Sequence, residues 1–161
     1  MNRLIHIVLI CFVCASCSQE ASDKPVSHAS QALLKASQAN AHVQEREYQA
    51  ALTVMGEAVA LTPENAELQL LYCMLRERTG EAAPAARDCY ESVVSLLSRD
   101  ASQPCEQNMN CVVAGLMAGS DDAEARKESF LALPASDPEA EIRRYVLGDF
   151  DRQVYLSTIL P

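Results

Sequence analysis

The sequence predicts an all-α protein, and three observations support this prediction. Apolar residues recur at intervals of three and four along most of the chain after residue 28, which places them on one stripe of a helix. No segment alternates apolar and polar residues between turn dipeptides, as a half-buried strand would. The chain is rich in alanine but has only five glycines and no tryptophan, a composition that suits closely packed helices.

The first 28 of the 161 residues are expected to lie outside the folded domain. Residues 1–16 combine a charged start with an apolar run, Leu4 to Val13, that is shorter than the about 20 residues a membrane-spanning helix needs. They are predicted to be a signal peptide. Residues 17–28 are polar, contain Pro25 and are predicted to be a flexible tether. One helical domain then spans 29–161.

Eight helices are predicted in this domain, and start or stop residues mark several of them. Pro63 closes the second helix, and Gly80 suits the left-handed position that commonly ends a helix, here the third. Ser120-Asp121-Asp122 is expected to start the sixth helix with a capping side chain, and Ser136-Asp137-Pro138-Glu139 to start the seventh with a capping residue before a proline in the first turn. The predicted helices lie near residues 29–45, 47–60, 64–79, 82–99, 106–118, 121–132, 138–147 and 150–158.

The second predicted helix carries small and bulky apolar residues on one face. They are Tyr48, Ala51, Leu52, Met55, Ala58, Val59 and Leu61. Small Ala51 and Ala58 allow a neighbouring helix to approach closely, and Ala85 takes the place of Ala51 one period later. Together with the closing Pro63-Glu64-Asn65, these residues resemble a tetratricopeptide repeat, whose period is about 34 residues. The resemblance implies antiparallel helical hairpins stacked in a short solenoid, with the last helix pair as a C-terminal cap.

The same resemblance implies a partner-binding surface, because the first helix of each repeat lines the concave face of such a solenoid. The positions that it assigns to this face are Leu33, Asn40, Val43, Leu70, Met74, Glu77 and Arg78. The alternative is that Leu33 and Leu70 are simply covered by neighbouring helices.

Cys14-Ala15-Ser16-Cys17 resembles the lipobox of a bacterial lipoprotein. Small Ala15 and Ser16 suit the signal peptidase, and the resemblance implies that Cys17 becomes the lipidated first residue, with several acyl chains that anchor firmly. Ser18 after that cysteine favours the outer membrane of a Gram-negative cell, with the domain facing the periplasm. The alternative is cleavage by the ordinary signal peptidase after a small-x-small pattern.

Four cysteines remain beyond Cys17, an even number in an exported chain: Cys73, Cys89, Cys105 and Cys111. Sequence alone allows three pairings. If the chain turns at Gly80-Glu81, Cys73 and Cys89 are equidistant from the turn and face each other, within the about 7 Å between Cα atoms that a disulfide needs.

The other two cysteines are six residues apart, so on one unbroken helix they would be about 9 Å apart in rise alone and could not bond. Cys105 and Cys111 can pair only if Cys105 lies in the loop before the helix, which Pro104 permits. Four buried free thiols are the alternative, and a zinc site is less favoured because no pair has the usual ligand spacing.

The chain carries 13 basic and 22 acidic residues, a net charge of −9. Removing residues 1–16 takes away Arg3 and no acid, so the mature net charge is −10. Such a surface repels nucleic acid and anionic membranes, and we expect neither as a ligand apart from the lipid anchor. The excess of acidic residues either keeps the surface of an exported protein well solvated or suits a basic segment of a partner.

No motif for chemistry stands out. The chain has no Gly-rich phosphate loop, HExxH or GxSxG motif. His42 is expected to be a surface or boundary residue, and Asp149-Phe150-Asp151 lacks the remaining ligands of a calcium loop. We therefore expect a non-enzyme without cofactor or metal.

Two classes of function fit these expectations. The first is a lipid-anchored scaffold or adaptor, similar to pilotins and envelope-assembly factors, that binds a protein or peptide partner at the outer membrane. The second is a structural, exclusion or immunity-type surface lipoprotein without a peptide groove. An exposed apolar groove of more than a few hundred Å² would favour the adaptor, and a uniformly polar surface would favour the second class.

Overall fold

The computed structural model describes residues 27–99 and 103–161. The predicted signal peptide and most of the predicted tether, with Cys17, lie outside these residues. Within them the chain forms eight α-helices and no strand, so the all-α prediction is confirmed. Every predicted helix is present, with boundaries that differ from the prediction by at most three residues. The helices are α1 (His28–Gln44), α2 (Tyr48–Leu61), α3 (Ala66–Arg78), α4 (Ala83–Leu97), α5 (Met109–Ala118), α6 (Ala123–Leu131), α7 (Asp137–Leu147) and α8 (Arg152–Ile159).

Short polar side chains and glycines set several helix ends. Ser27 Oγ accepts a hydrogen bond from the Ser30 amide at the start of α1, and Asn65 Oδ1 does the same for two amides at the start of α3. Gly80, with φ 100°, lies in the turn between α3 and α4, as the sequence predicts. Gly119, with φ 72°, closes α5 in the left-handed conformation that favours glycine.

Asp122 and Ser136 precede α6 and α7 as N-cap residues, within the predicted starts, but neither side chain makes a capping hydrogen bond. At α6 the Ser120 carbonyl oxygen accepts from the Ala123 amide at 3.0 Å, so this turn is closed by the backbone. The carboxylate of Asp122 pairs with Arg126 one turn further on. The side-chain cap predicted at α6 is therefore replaced by this ion pair and by the backbone turn.

Helices that follow each other in the chain pack against each other from α1 to α7. Small residues let α1 and α2 pack closely, because buried alanines lie on both helices and Met55 is buried on α2. The buried alanines are Ala32, Ala36 and Ala39 on α1 and Ala51 and Ala58 on α2. Further along, α5 is central to the core, because every residue from Cys111 to Ala118 is buried.

The last helix returns to the middle of the domain. Leu156 and Leu160 at the end of the chain are buried in the core. Arg78 at the end of α3 donates from Nε to the Leu160 carbonyl oxygen at 3.1 Å, across 82 positions of sequence. Thus α8 covers the end of α3.

Two disulfides join the four cysteines of the domain. Cys73 on α3 is bonded to Cys89 on α4, with Cα atoms 5.6 Å apart, which is the pairing that the turn at Gly80 predicts. Cys105 is bonded to Cys111, with Cα atoms 5.3 Å apart. Cys105 begins a short 3₁₀ turn, Cys105–Gln107, that precedes α5 and brings the two sulfurs together.

Among the described residues, no helix combines the length and apolar character needed to cross a bilayer.

Candidate functional site

Only some of the residues on the surface that the repeat resemblance predicts are exposed in the structure. On α1, Leu33 and Asn40 are exposed, and Val43 is half-buried against the core. On α3, Leu70 and Met74 are only 6% and 3% exposed. The prediction that these two residues face a partner was wrong. Helix α3 packs against α2 and α4 and also touches α5, so its apolar side chains are covered on several sides.

Glu77 and Arg78, also predicted to bind a partner, contact the chain's own C-terminal helix. Glu77 accepts a hydrogen bond from the Tyr90 hydroxyl at 2.8 Å, and its other carboxylate oxygen lies 3.1 Å from Arg152 on α8. The Arg78 guanidinium, which binds the Leu160 carbonyl, also lies 4.5 Å from the centre of the Tyr48 ring. Both side chains therefore hold α8 in place.

Burial and the neighbouring carboxylate both act on Tyr90. Burial of the ring raises the pKa of its phenol far above the ordinary value of 10.0, and the hydrogen bond to Glu77 and its negative charge raise it further. Arg152 opposes this shift without cancelling it. Tyr90 thus stays protonated as a hydrogen-bond donor in the folded protein.

A largely apolar cleft lies between α7 and α8, on a surface that the sequence did not single out. Its volume is about 300 Å³. It presents the most exposed apolar side chains of the C-terminal region: Tyr145 is 85% exposed and Val154 is 62% exposed. The cleft is lined by Met109, Tyr145, Val146, Asp149, Phe150, Asp151, Val154, Tyr155, Thr158 and Ile159. We call this surface the α7–α8 cleft.

Aromatic packing supports the floor of the α7–α8 cleft. The ring centres of Phe150 and Tyr155 lie 5.3 Å apart at an angle of 38°. Burial raises the pKa of the Tyr155 phenol above its ordinary value of 10.0. Both rings belong to a partly buried layer that packs on the core, so the cleft has a fixed base beneath its exposed rim.

The charges at this cleft are all negative. Asp149 and Asp151 line it, and no lysine, arginine or histidine does. Asp151 Oδ1 accepts from the Val154 amide at 2.8 Å and so caps α8. Asp149 is exposed and forms no ion pair within the described part of the chain.

A second hollow adjoins the α7–α8 cleft along the N-terminal part of α7. It has a volume of about 620 Å³ and shares Met109 with the cleft. Ile142, 59% exposed, lines it, next to an ion pair of 2.6 Å between Arg143 and Glu139. Apolar surface thus extends along one side of α7 from Ile142 to Tyr145 and Val146.

The sequence contained a signal for this surface. Helix α7 has apolar residues at Ile142, Tyr145 and Val146, spaced by three and four, and a further apolar residue at Leu147. Leu147 is wholly buried. One helix can turn only one face to the core, so a helix with apolar residues around this much of its circumference leaves some of them exposed.

One other exposed apolar patch exists among the described residues, on the outer side of α1. Leu33 and Leu34 are each 62% exposed. Around them α1 presents exposed residues that carry no charge, and the whole helix contains no Asp or Glu. These exposed residues are Ser30, Leu33, Leu34, Ser37, Asn40, Ala41 and Gln44. We call this surface the α1 face.

His42 lies in a group of potential metal ligands at the turn between α1 and α2. Ligand atoms of His42, Glu45 and Glu47 lie within 4.8 Å of one another. His42 Nδ1 is 2.7 Å from Glu47 Oε2, so an exposed ion pair accounts for this contact when the imidazole is protonated. The group lies at the surface, as the sequence predicts for His42.

No protein-family model matches the chain, and no curated protein or solved structure matches it either.

Proposed function

We propose that this protein is a lipid-anchored helical scaffold that holds a protein partner at the outer membrane, on the periplasmic side. The observation that carries the proposal is the α7–α8 cleft. Apolar side chains that are exposed together, rather than scattered singly, mark candidate sites of protein interaction. Here the exposed side chains are large, converge on one cleft and rest on a packed aromatic base.

The partner-binding surface in this proposal differs from the one that the repeat resemblance implies. Leu70 and Met74 are buried, and Glu77 and Arg78 bind α8. A partner therefore contacts the outer side of the C-terminal helices. A tetratricopeptide-like arrangement remains part of the proposal, supported by the series of helix pairs joined by short turns in which each helix packs on the next.

The anchor in this proposal is Cys17, in the lipobox-like Cys14-Ala15-Ser16-Cys17. The domain begins at His28, so about ten residues separate the anchor from α1. A tether of this length keeps the domain within a few tens of ångströms of the bilayer, since an extended chain spans at most about 3.6 Å per residue. The partner is thus bound close to the membrane surface.

The competing proposal is an exclusion or immunity-type surface lipoprotein that acts only as a stable helical body. That function requires no exposed apolar cleft, and a uniformly polar surface would have favoured it. The surface is not uniformly polar, since large apolar side chains are exposed at the α7–α8 cleft, and this supports the scaffold. An enzymatic function has no comparable support in the geometry of the described residues.

The test is photocrosslinking from the cleft in membranes of the producing cell. A photoreactive phenylalanine replaces Tyr145 in the full chain, and the matched control carries it at Gln49, an exposed position on α2. We expect a crosslinked product that contains a second polypeptide from position 145 and none from position 49. Products of equal yield from both positions, or from neither, would contradict the proposal.

The same chain with Cys17→Ser tests the anchor. Acyl labelling and membrane association should both be lost, and the yield of the crosslinked product should fall because the protein leaves the membrane. Cys14→Ser serves as the matched control and should retain labelling. Labelling that survives Cys17→Ser would show that the anchor is not at this position.

A further inference from the structure

The aromatic rings of the described domain differ in whether a cation lies over them. Four rings have an arginine guanidinium 4.5–5.8 Å from the ring centre: Tyr48 with Arg78, Tyr72 with Arg76, Tyr90 with Arg152 and Phe130 with Arg143. The remaining rings are Tyr145, Phe150 and Tyr155, and all three line the α7–α8 cleft. Among the described residues, none of these three has a cation over it. The domain thus supplies cations to the rings outside the cleft and to none inside it.

The three arginines of α7 and α8 do not line the cleft. Arg152 is paired with Glu77 at 3.1 Å, on the side of α8 that faces α3. Arg143 is paired with Glu139 at 2.6 Å. Arg144 is exposed on α7 but is not among the lining residues. The cleft therefore receives no positive charge from the two helices that form it.

The charge of the α7–α8 cleft also sets it apart from four other hollows of the described domain. Each of those hollows includes at least one arginine. The cleft has Asp149 and Asp151 and no basic residue, and neither carboxylate forms an ion pair among the described residues. Asp151 caps α8 through Oδ1, which leaves its second oxygen for an incoming group. The cleft thus combines an apolar lining with uncompensated negative charge.

One aromatic ring and one carboxylate of the cleft lie close together in sequence and on the helix. Tyr145, 85% exposed, is in the last turn of α7, and Asp149 follows four residues later, just beyond the helix end. Residues with this spacing on a helix surface are neighbours, with Cβ atoms about 5–6 Å apart. A cation over the Tyr145 ring can therefore reach the Asp149 carboxylate as well. Such a cation gains from the ring and from the opposite charge together.

We propose that the α7–α8 cleft binds a segment of a partner protein in which an arginine or lysine stands next to large apolar residues. The cation lies between the Tyr145 ring and the Asp149 carboxylate, and the apolar side chains contact Val154. This inference rests on the proposed function, because it names the chemistry of the partner that the same cleft binds. The net charge of −9 attracts a cationic segment and repels an acidic one, which favours rapid encounter with the right partner.

Binding of synthetic peptides to the full chain carrying Cys17→Ser tests the proposal. Three short peptides with blocked termini are compared: one of leucine and arginine, one with glutamate in place of every arginine, and one with serine in place of every leucine. We expect the leucine–arginine peptide to bind at least about tenfold more tightly than either of the others. Equal affinities of the leucine–arginine and leucine–glutamate peptides would overturn the inference.

Charge reversal at Asp149 shows whether the preference arises at the cleft. Asp149→Lys should weaken the leucine–arginine peptide and strengthen the leucine–glutamate peptide, so that the ratio of their affinities falls at least about tenfold. The matched control is Asp88→Lys, an identical change at an exposed position on α4. At about 0.15 M salt, charges more than about 8 Å apart are largely screened, so this control should keep the parent's ratio. An unchanged ratio in Asp149→Lys, or an equal fall in both variants, would overturn the inference. Unchanged helical circular dichroism shows that each variant is folded.

The exposed ring gives a further variant of the same binding measurement. Tyr145→Leu keeps an apolar side chain and removes the aromatic face, so it should weaken the leucine–arginine peptide about threefold. Unchanged affinity of this variant would overturn the position proposed for the cation.

Photocrosslinking from position 145 in membranes separates this inference from the proposed function. Asp149→Lys in the photoreactive chain should lower the yield of the crosslinked product, and Asp88→Lys should not. A product whose yield is unaffected by Asp149→Lys would overturn this inference and leave the proposed function intact. Absence of any product, together with the expected peptide preference, would overturn the proposed function and support the charge preference of the cleft.

Discussion

Leu33 and Leu70 show how burial changes the effect of one and the same substitution. Leu70→Asp loses the apolar contacts of a buried leucine and leaves a carboxylate in the core, whereas Leu33 is mostly in solvent. We expect Leu70→Asp to lower the free energy of unfolding by at least about 3 kcal/mol, and Leu33→Asp by less than about 1 kcal/mol. Urea denaturation of the two variants measures the difference. Equal unfolding midpoints would show that α3 is not packed as described.

Tyr90 makes stability depend on alkaline pH. Its pKa is raised in the folded protein, so both states keep the proton below pH 10.0, and stability does not change with this group there. Above that pH the unfolded chain ionises while the folded chain does not, so the free energy of unfolding falls by up to about 1.4 kcal/mol per pH unit. Tyr90→Phe should reduce this slope, and Tyr145→Phe, which alters an exposed ring, should not. Urea midpoints between about pH 8.5 and 11 provide the measurement.

Tyr90→Phe is also expected to lower the free energy of unfolding at neutral pH. The variant removes the hydroxyl that donates to Glu77 and leaves that carboxylate with Arg152 as its partner. A loss of about 1–3 kcal/mol is expected at pH 7, because a hydrogen bond to a charged group is lost in a buried site. An unchanged midpoint at neutral pH together with an unchanged alkaline slope would contradict the network.

Among the elements, the α3–α4 hairpin is held by the Cys73–Cys89 disulfide. It links residues 16 positions apart, for which the chain-entropy relation gives about 3 kcal/mol of stabilisation. Cys73→Ala with Cys89→Ala should therefore lower the melting temperature by several degrees. The Cys105–Cys111 disulfide closes a smaller loop, of six positions, so Cys105→Ala with Cys111→Ala should cost somewhat less stability. A non-reduced digest identifies the pairs, and a peptide linking Cys73 to Cys105 or Cys111 would contradict this hairpin.

The positions of the helices could be predicted from sequence because their ends are chemically marked. Gly80 and Gly119 take positive φ values that favour glycine, and Asn65 caps α3 with its side chain. The candidate site could not be predicted in the same way. Periodicity identifies an apolar stripe but not the helix that covers it, so Met74 and Tyr145 look alike in sequence although the first is buried and the second exposed.

At the scale of the whole molecule, the least predictable feature is the return of α8. It depends on contacts between Arg78 and Leu160, 82 residues apart, and between Glu77 and Arg152. None of these residues carries a local signal that names its partner. These contacts bring α8 against the end of α3, and the exposed apolar side chains of the C-terminal region then lie on α7 and α8.

Both disulfides of the described domain lie in its middle third, on α3, α4 and the approach to α5. The α1–α2 hairpin and the helices after α5 are held by packing and polar contacts alone. Local unfolding is therefore expected to begin at the two ends, while the cross-linked middle keeps its structure. Amide hydrogen exchange should show least protection in α1 and α7 and most in α3 to α5, a gradient that reduction of the disulfides would flatten. The α7–α8 cleft thus belongs to a part of the molecule that opens early, so a bound partner would slow its opening.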